Sequence, residues 1–335
     1  MSEPQKVRLI DIARELNISH ASVASVLTGG SSGTRVSLKT AEKIRAAARK
    51  MNYQPNLHAR VLRGGSSKVV GIVIFGLASE IFNHIVESFN KSLRCWEYQT
   101  LIAMPSGEDS LEEVLNYMQA FAVDALAVLS YPIAVDPERF RKALSVWKRP
   151  LVLIDPCLDG FPAVSIDRAA GMEKLLNFLI QSGKRDFVYL RSLPNFSMDK
   201  LRGVEETVRK HGLDWSDEHI WNLSDNHNGY VGAVERLLER KKLPDCVICA
   251  GDVTAFGVIS ELLKRGIRVP EDIGVTGFDD SPLLQFCPVP VTTLRHPVFE
   301  VGASAANLLL QSIQKPDGEV KNLHIPPELI IRNSV

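Results

Sequence analysis

The chain has 335 residues, 45% of them hydrophobic and 23% charged, and its formal net charge is zero. That length suits two or three domains rather than one, and the composition excludes disordered, fibrous and collagenous classes. No secretion-type apolar segment opens it and no stretch of about 18 apolar residues occurs, so the sequence predicts a cytoplasmic protein. Five cysteines, an odd number, argue against a disulfide framework.

The neutral total hides a division. Residues 1–68 hold twelve Lys/Arg against four Asp/Glu, a net +8, and the remainder carries −8. A basic head suits phosphate, and an acidic body avoids it. Leu9, Ile12, Ala13 and Leu16 recur at helical spacing and predict a short amphipathic helix over LIDIAREL. Asn17 tolerates the left-handed conformation of a tight turn, and Ser19 is a fitting N-cap for a second helix running to about Leu27. Val23, Val26 and Leu27 mark its inner face. His20, Ala21, Ser22 and Ser25 face outward, small or hydrogen-bonding groups suited to base edges in a major groove. Gly29, Gly30 and Gly33 open a loop, and Ser37 caps a third helix with Ala41, Ile44, Ala48 and Met51 inward. A plain three-helix bundle with a basic surface gives the same pattern. The confinement of charge to this end favours DNA.

After YQPN, Pro55 can start a short helix bearing Leu57, Val61 and Leu62, which Gly64, Gly65, Ser66 and Ser67 break into a flexible linker. So short a helix is marginal in water and needs a docking surface. From Val69 onward short apolar runs alternate with helical segments. VVGIVIFG, QTLIAMP, VDALAVLS and PLVLIDP form one set of strands; RDFVYL, CVICAG and IGVTGFD form a second. Such alternation predicts parallel sheets covered on both faces, and two sets make two doubly wound lobes with a ligand site between them. Cys246 and Cys249 form a CxxC, but inside a strand the two point to opposite faces, so they read as core rather than as a metal or redox pair.

In order and spacing, DIAREL, ISHASVASVL, RVSLKTAEKI and NYQPNLHARVLRGG, followed by VVGIVIFG, resemble the lac repressor (LacI) family of bacterial regulators. The likeness continues through LPDCVICAGDVTAFGVISELLKRGIRVPEDIGVTGFDD to VTTLRHPVFEVGASAANLLL. It implies an α/β fold class: a three-helix helix-turn-helix head (1–56), a hinge helix and linker (57–68), and a periplasmic-binding-protein-like body (69–335). It places lobe 1 at about 69–157 plus 295–321 and lobe 2 at about 163–289 plus 327–335, with crossings near 157–163, 289–295 and 321–327. The function implied is a repressor that binds a palindromic operator as a homodimer under control of a small polar, sugar-like effector. Ser19, Thr28, Ser37 and Asn56 complete the implied DNA contacts, with Ala59 and Leu62 as the hinge's minor-groove residues and Leu62 the wedge. Arg8 replaces a usual capping Thr, Ser25 a frequent base-reading Arg, and Lys184 a His; the TGGSSGTR loop is longer than usual.

By position, the resemblance assigns effector contacts to Phe75, Ser130, Asp155, Lys200 and Asp279. Lys200 stands where the family has a clamping arginine and Gly251 where it often has Asn. Each has an ordinary alternative: a strand-end Asp caps helices, and Phe75 equally suits a core. Trp221 is expected at the cleft's far edge. A dehydrogenase would need GxGxxG after the first strand, and no P-loop, GxSxG elbow or metal-like His spacing appears, so the sequence predicts no enzyme, cofactor or metal. A secreted solute-binding protein shares the body fold but has no use for a basic head.

Overall fold

The computed structural model describes residues 7–28, 36–53, 65–75, 80–105, 111–130, 136–191, 198–223, 229–315, 318 and 320–335. Three helices form the head: α1 (Leu9–Leu16), α2 (His20–Thr28) and α3 (Leu38–Lys50). Asn17 takes φ 51°, closing α1 and turning the chain toward α2. Ser19 Oγ accepts the Ser22 amide at 3.1 Å and Ser37 Oγ the Thr40 amide at 3.2 Å, the two caps expected. In place of the missing Thr cap, the Asp11 carboxylate accepts the Arg8 amide at 2.8 Å. Ile12, Ala13, Val23, Ile44, Ala47 and Ala48 close a small core.

The body contains two wound sheets. The first runs β2-β1-β3-β4-β5-β11, all parallel, from β1 (Val69–Ile74), β2 (Gln99–Ala103), β3 (Ala125–Leu129), β4 (Leu151–Ile154), β5 (Ala163–Ile166) and β11 (Asn322–Ile325). Strand alternation sorts its residues. Val70, Ile72 and Ile74 pack under α4 (Glu80–Arg94) and α11 (Val298–Gln314), while Val73 meets α5 (Leu111–Ala120) and α6 (Pro137–Ser145). Helices α4 and α11 touch so closely that a Cβ at Gly302 would strike the Ile85 carbonyl.

The second sheet runs β7-β6-β8-β9 in parallel, from β6 (Phe187–Arg191), β7 (Ile220–Asn222), β8 (Cys246–Cys249) and β9 (Gly274–Thr276). Helices α7 (Arg168–Gln181) and α8 (Met198–Lys210) cover one face; α9 (Gly229–Leu238) and α10 (Asp252–Lys264) cover the other. An antiparallel pair, β10 (Thr293–Arg295) and β12 (Glu328–Ile330), joins this lobe through bridges Thr276–Thr292 and Asp279–Arg295. Cys246 and Cys249 do belong to opposite faces of β8. Burial pushes the Cys246 thiol up to about 12, which keeps it an inert core group.

The expected lobe boundaries shift by one strand. Residues 163–166 and 322–325 pair within the first sheet, so the crossing expected near 157–163 comes later, after β5, while the one expected near 321–327 falls at the end of that range, between β11 and β12. The crossing near 289–295 also comes later, since β10 still belongs to lobe 2. Short apolar strands at the end of one lobe and the start of the next look alike in sequence; only pairing assigns them. The linker expectation also changes at its end, because Ser67 is buried and hydrogen-bonded to Asp124. No described helix is long and apolar enough to cross a membrane.

Candidate functional site

On the head, Ser19, His20 and Ala21 are exposed at the start of α2, whereas Ser22 and Ser25 are half-buried. Ser22 Oγ lies 2.8 Å from Ser19 Oγ, so part of the expected outward face is engaged in the cap. Ser37 is exposed and caps α3, and Thr28 ends α2 with its side chain outside the described atoms. Asn56, Ala59 and Leu62 lie outside the described residues. Arg8, Arg14, Lys39, Lys43, Arg45, Arg49 and Lys50 are all exposed, giving the three-helix unit a cationic surface.

In the body, the C-terminal strand ends of both sheets converge where the chain crosses between lobes. Phe75 follows β1, Ser130 follows β3 and Asp155 follows β4, while Lys200 lies on α8 and Asp279 follows β9. Asp155 does not stand open to a ligand. Its carboxylate takes a fork from Arg168, at 2.8 Å from one guanidinium nitrogen and 2.6 Å from the other, and both side chains are almost wholly buried. Arg168 is the first residue of α7, and it also reaches Asp199 on α8 at 3.5 Å. The acid expected to bind ligand is thus occupied by an arginine thirteen positions on, across the crossing.

The lobe 2 acid is different. His296 Nε2 lies 3.0 Å from Asp279 Oδ1, yet the Asp279 side chain stays 30% exposed. Gly251 leaves room beside it: a Cβ there would sit 3.5 Å from Asp279 Oδ2, an ordinary contact. Burial works to raise the Asp279 carboxyl, but nearby Lys200 and the His296 bond outweigh it, holding the carboxyl below the usual range. Lys200 is buried, donates to the Ala250 carbonyl at 2.7 Å, and sits 3.7 Å from the Phe278 ring centroid. Burial pulls its ammonium below the ordinary lysine range despite the pull of Asp279. The same burial keeps the His296 imidazole low.

Of the remaining expectations, Ser130 is buried at the lobe 1 strand ends and Phe75 packs edge-on against Phe140, a core contact. Trp221 is no cleft residue. It is buried in the lobe 2 core, its indole N–H donating to the Glu218 carbonyl at 2.7 Å and Arg236 stacked on its ring. Three members of the cluster were missed in the sequence: Arg168, Asp199 and His296. The signal was there, charged or titratable residues set directly against apolar runs (SIDRAAG, TLRHPV), but nothing local says which acid each one meets. Among the described residues no group of three His, Cys, Asp or Glu is arranged to hold a metal.

The comparisons agree with this geometry from both ends of the chain. Residues 8–56 match the model for bacterial regulatory proteins of the lacI family, and residues 176–335 match the periplasmic binding protein-like domain. Catabolite control protein A of Staphylococcus xylosus is 23% identical over 98% of this chain and 99% of its own. The HTH-type transcriptional repressor PurR of Histophilus somni is 25% identical over 97% and 98%. The fold matches the lac repressor dimer bound to operator and the anti-inducer ONPF, with a TM-score of 0.82 at 22% identity over 98% of this chain and 99% of that one. It also matches the complex of the regulator CelR with cellobiose, with a TM-score of 0.67 at 23% identity over 98% and 100%. A lacI-type head joined to a periplasmic-binding-protein-like body is the organisation of DNA-binding transcriptional regulators, and in both parts this chain matches the lacI family.

Proposed function

We propose that the protein is a repressor that binds a palindromic operator as a homodimer and answers to a small polar effector held between its lobes. The observation that carries this reading is the cationic helix-turn-helix unit, its exposed Arg and Lys side chains set against a body of net −8. In this reading His20, Ala21, Ser22 and Ser25 meet base edges, Ser19, Thr28 and Ser37 lie near phosphates, and Asn56, Ala59 and Leu62 act in the hinge. The head is 1–56, the hinge 57–68 and the body 69–335.

Exposed apolar side chains on both lobes support pairing of two copies. Ile102 and Tyr117 lie on the edge strand β2 and on α5 of lobe 1, Met104 and Phe121 just past their ends, and Val253 and Phe286 on lobe 2. The effector would lie against Asp279, Lys200 and the open side beside Gly251. A neutral hydroxylated molecule suits these groups, since a carboxylate in a partly desolvated cleft repels anions. Asp155 contributes by holding Arg168. The lac repressor on operator and CelR with cellobiose are precedents for each half of this reading.

The test is salt-dependent binding to a duplex selected from a random library by the full chain. Affinity should fall steeply with salt, roughly 10³-fold or more between 50 and 200 mM for six or more phosphate contacts. A chain beginning at Gly65 should not bind. Equal binding by that shortened chain would move the DNA site to the body and leave a solute-binding role as the better reading.

A further inference from the structure

We infer that Asp124 positions the DNA-binding heads, clamping the last residues of the linker onto lobe 1 so that the lobe, and not a loose tether, sets where each head can reach. This rests on the paired-head reading above. Asp124 stands one residue before β3. Its Oδ1 accepts the Ser67 amide at 2.9 Å and the Ser67 hydroxyl at 3.0 Å. Its Oδ2 accepts the Lys68 amide at 3.0 Å and also the Ser66 hydroxyl. A single carboxylate, which only accepts and has about four lone-pair sites, is thereby filled by three successive linker residues 56–58 positions away.

Other bonds lock the same segment. The Asp124 amide donates to the Val69 carbonyl at 2.8 Å, and the Gln99 amide donates to the Lys68 carbonyl at 2.9 Å. Lys68 turns through φ 56°, and its ammonium reaches the Trp96 carbonyl at 3.3 Å while lying 4.4 Å from the Tyr98 ring centroid. The start of β1 uses these backbone bonds and the Ser67 hydroxyl, which accepts the Val69 amide at 3.2 Å. The bonds to Asp124 reach further back, to Ser66, and fasten half of a Gly-Gly-Ser-Ser tether to lobe 1 ahead of the first strand residue. At about 3.3–3.6 Å per extended residue, pinning Ser66, Ser67 and Lys68 removes roughly 10 Å of free reach from each protomer. A tether shortened in this way makes the second head's binding sensitive to half-site spacing, because effective concentration collapses once a linker cannot span its sites.

The experiment uses the full chain and its variants Asp124→Ala, Asp124→Asn and Ser66→Ala/Ser67→Ala. Each is titrated with the library-selected duplex, with the same duplex lengthened by two base pairs at its centre, and with unrelated DNA. Wild type should lose at least about tenfold in affinity on the insertion, and Asp124→Ala less than about threefold, a flattened profile reached from a weaker starting affinity. Asp124→Asn should fall between them, since its amide nitrogen cannot accept the Lys68 N–H. The serine pair should behave like Asp124→Asn with the body untouched, so it decides the matter if Asp124→Ala fails to fold. Binding to unrelated DNA should stay at the wild-type value in every variant that folds, which a merely structural role for Asp124 would not predict, while the thermal midpoint of Asp124→Ala should fall because two part-buried amides lose their acceptor. Spacing profiles as steep as wild type in both the alanine and serine variants would overturn the inference. A flat profile in wild type would overturn it too, by a separate route: the paired-head reading itself would fail.

Discussion

The two lobes wind their strands alike and end corresponding strands on an aspartate, yet they treat that aspartate in opposite ways. Asp155 and Asp279 both leave a strand with positive φ, 80° and 119°. A non-glycine residue in that region is a strained position that the surrounding bonds must hold, and such positions gather at functional sites. In lobe 1 the carboxylate is buried and consumed by a two-point bond to Arg168. In lobe 2 it is part-exposed, with one imidazole beside it and the space left by Gly251. Repetition of a fold is not repetition of a site: the chemistry depends on which side chain the neighbouring crossing delivers.

The sharpest way to break this comparison is to remove the guanidinium. Arg168→Ala leaves Asp155 buried without its counter-charge, and breaking a buried pair from one side costs about 3–5 kcal/mol. Denaturant unfolding of the full chain should show that loss. Unchanged stability together with lost effector response would mean that lobe 1 holds the ligand-facing acid after all. Asp279→Ala should do the reverse. It should weaken effector binding by about tenfold or more, roughly 1.4 kcal/mol or above, with a smaller effect on unfolding than Arg168→Ala. Calorimetry with a panel of sugars and nucleosides measures this, and an affinity unchanged by the substitution would remove Asp279 from the site.

A third measurement sharpens the lobe 2 side. Asp252 is fully buried, accepting the Thr293 hydroxyl and the Ser281 amide at 2.7 Å each, and burial raises its carboxyl to about 7. A carboxyl whose folded value lies above its unfolded one binds more protons in the native state. Its contribution is therefore present below about pH 4 and is lost as the pH rises through about 7. Compared with Asp252→Asn, the wild type should lose about 1–3 kcal/mol of stability between pH 4 and 8, read from denaturant midpoints across that range. A difference independent of pH would mean that Asp252 is ionised throughout.

Much of this molecule is legible before folding. Leu9, Ile12, Ala13 and Leu16 announce α1 by spacing, Asn17 its end, and Ser19 and Ser37 the next two starts, because burial on one face and capping are local requirements. The strand–helix alternation from Val69 likewise announces two wound sheets, and Cys246 and Cys249 reveal themselves as core through the two-residue period of β8. The charge division of +8 and −8 points to the DNA-facing end without any structure at all.

What only the tertiary structure decided is who meets whom. The family resemblance named both Asp155 and Asp279 as ligand-facing acids, with Asp279 ahead. It could not see that Arg168 reaches back across a crossing to one of them, or that His296 arrives from a third segment beside the other. Nor could it place β5 in lobe 1, tell that Trp221 is core, or find that Asp124 ties down a serine-rich tether that composition reads as free. Periodicity records which face of an element is buried, a property of near neighbours. The pairing of charges brought together from segments ten to sixty residues apart is set by the packing of whole elements, and no local pattern encodes it.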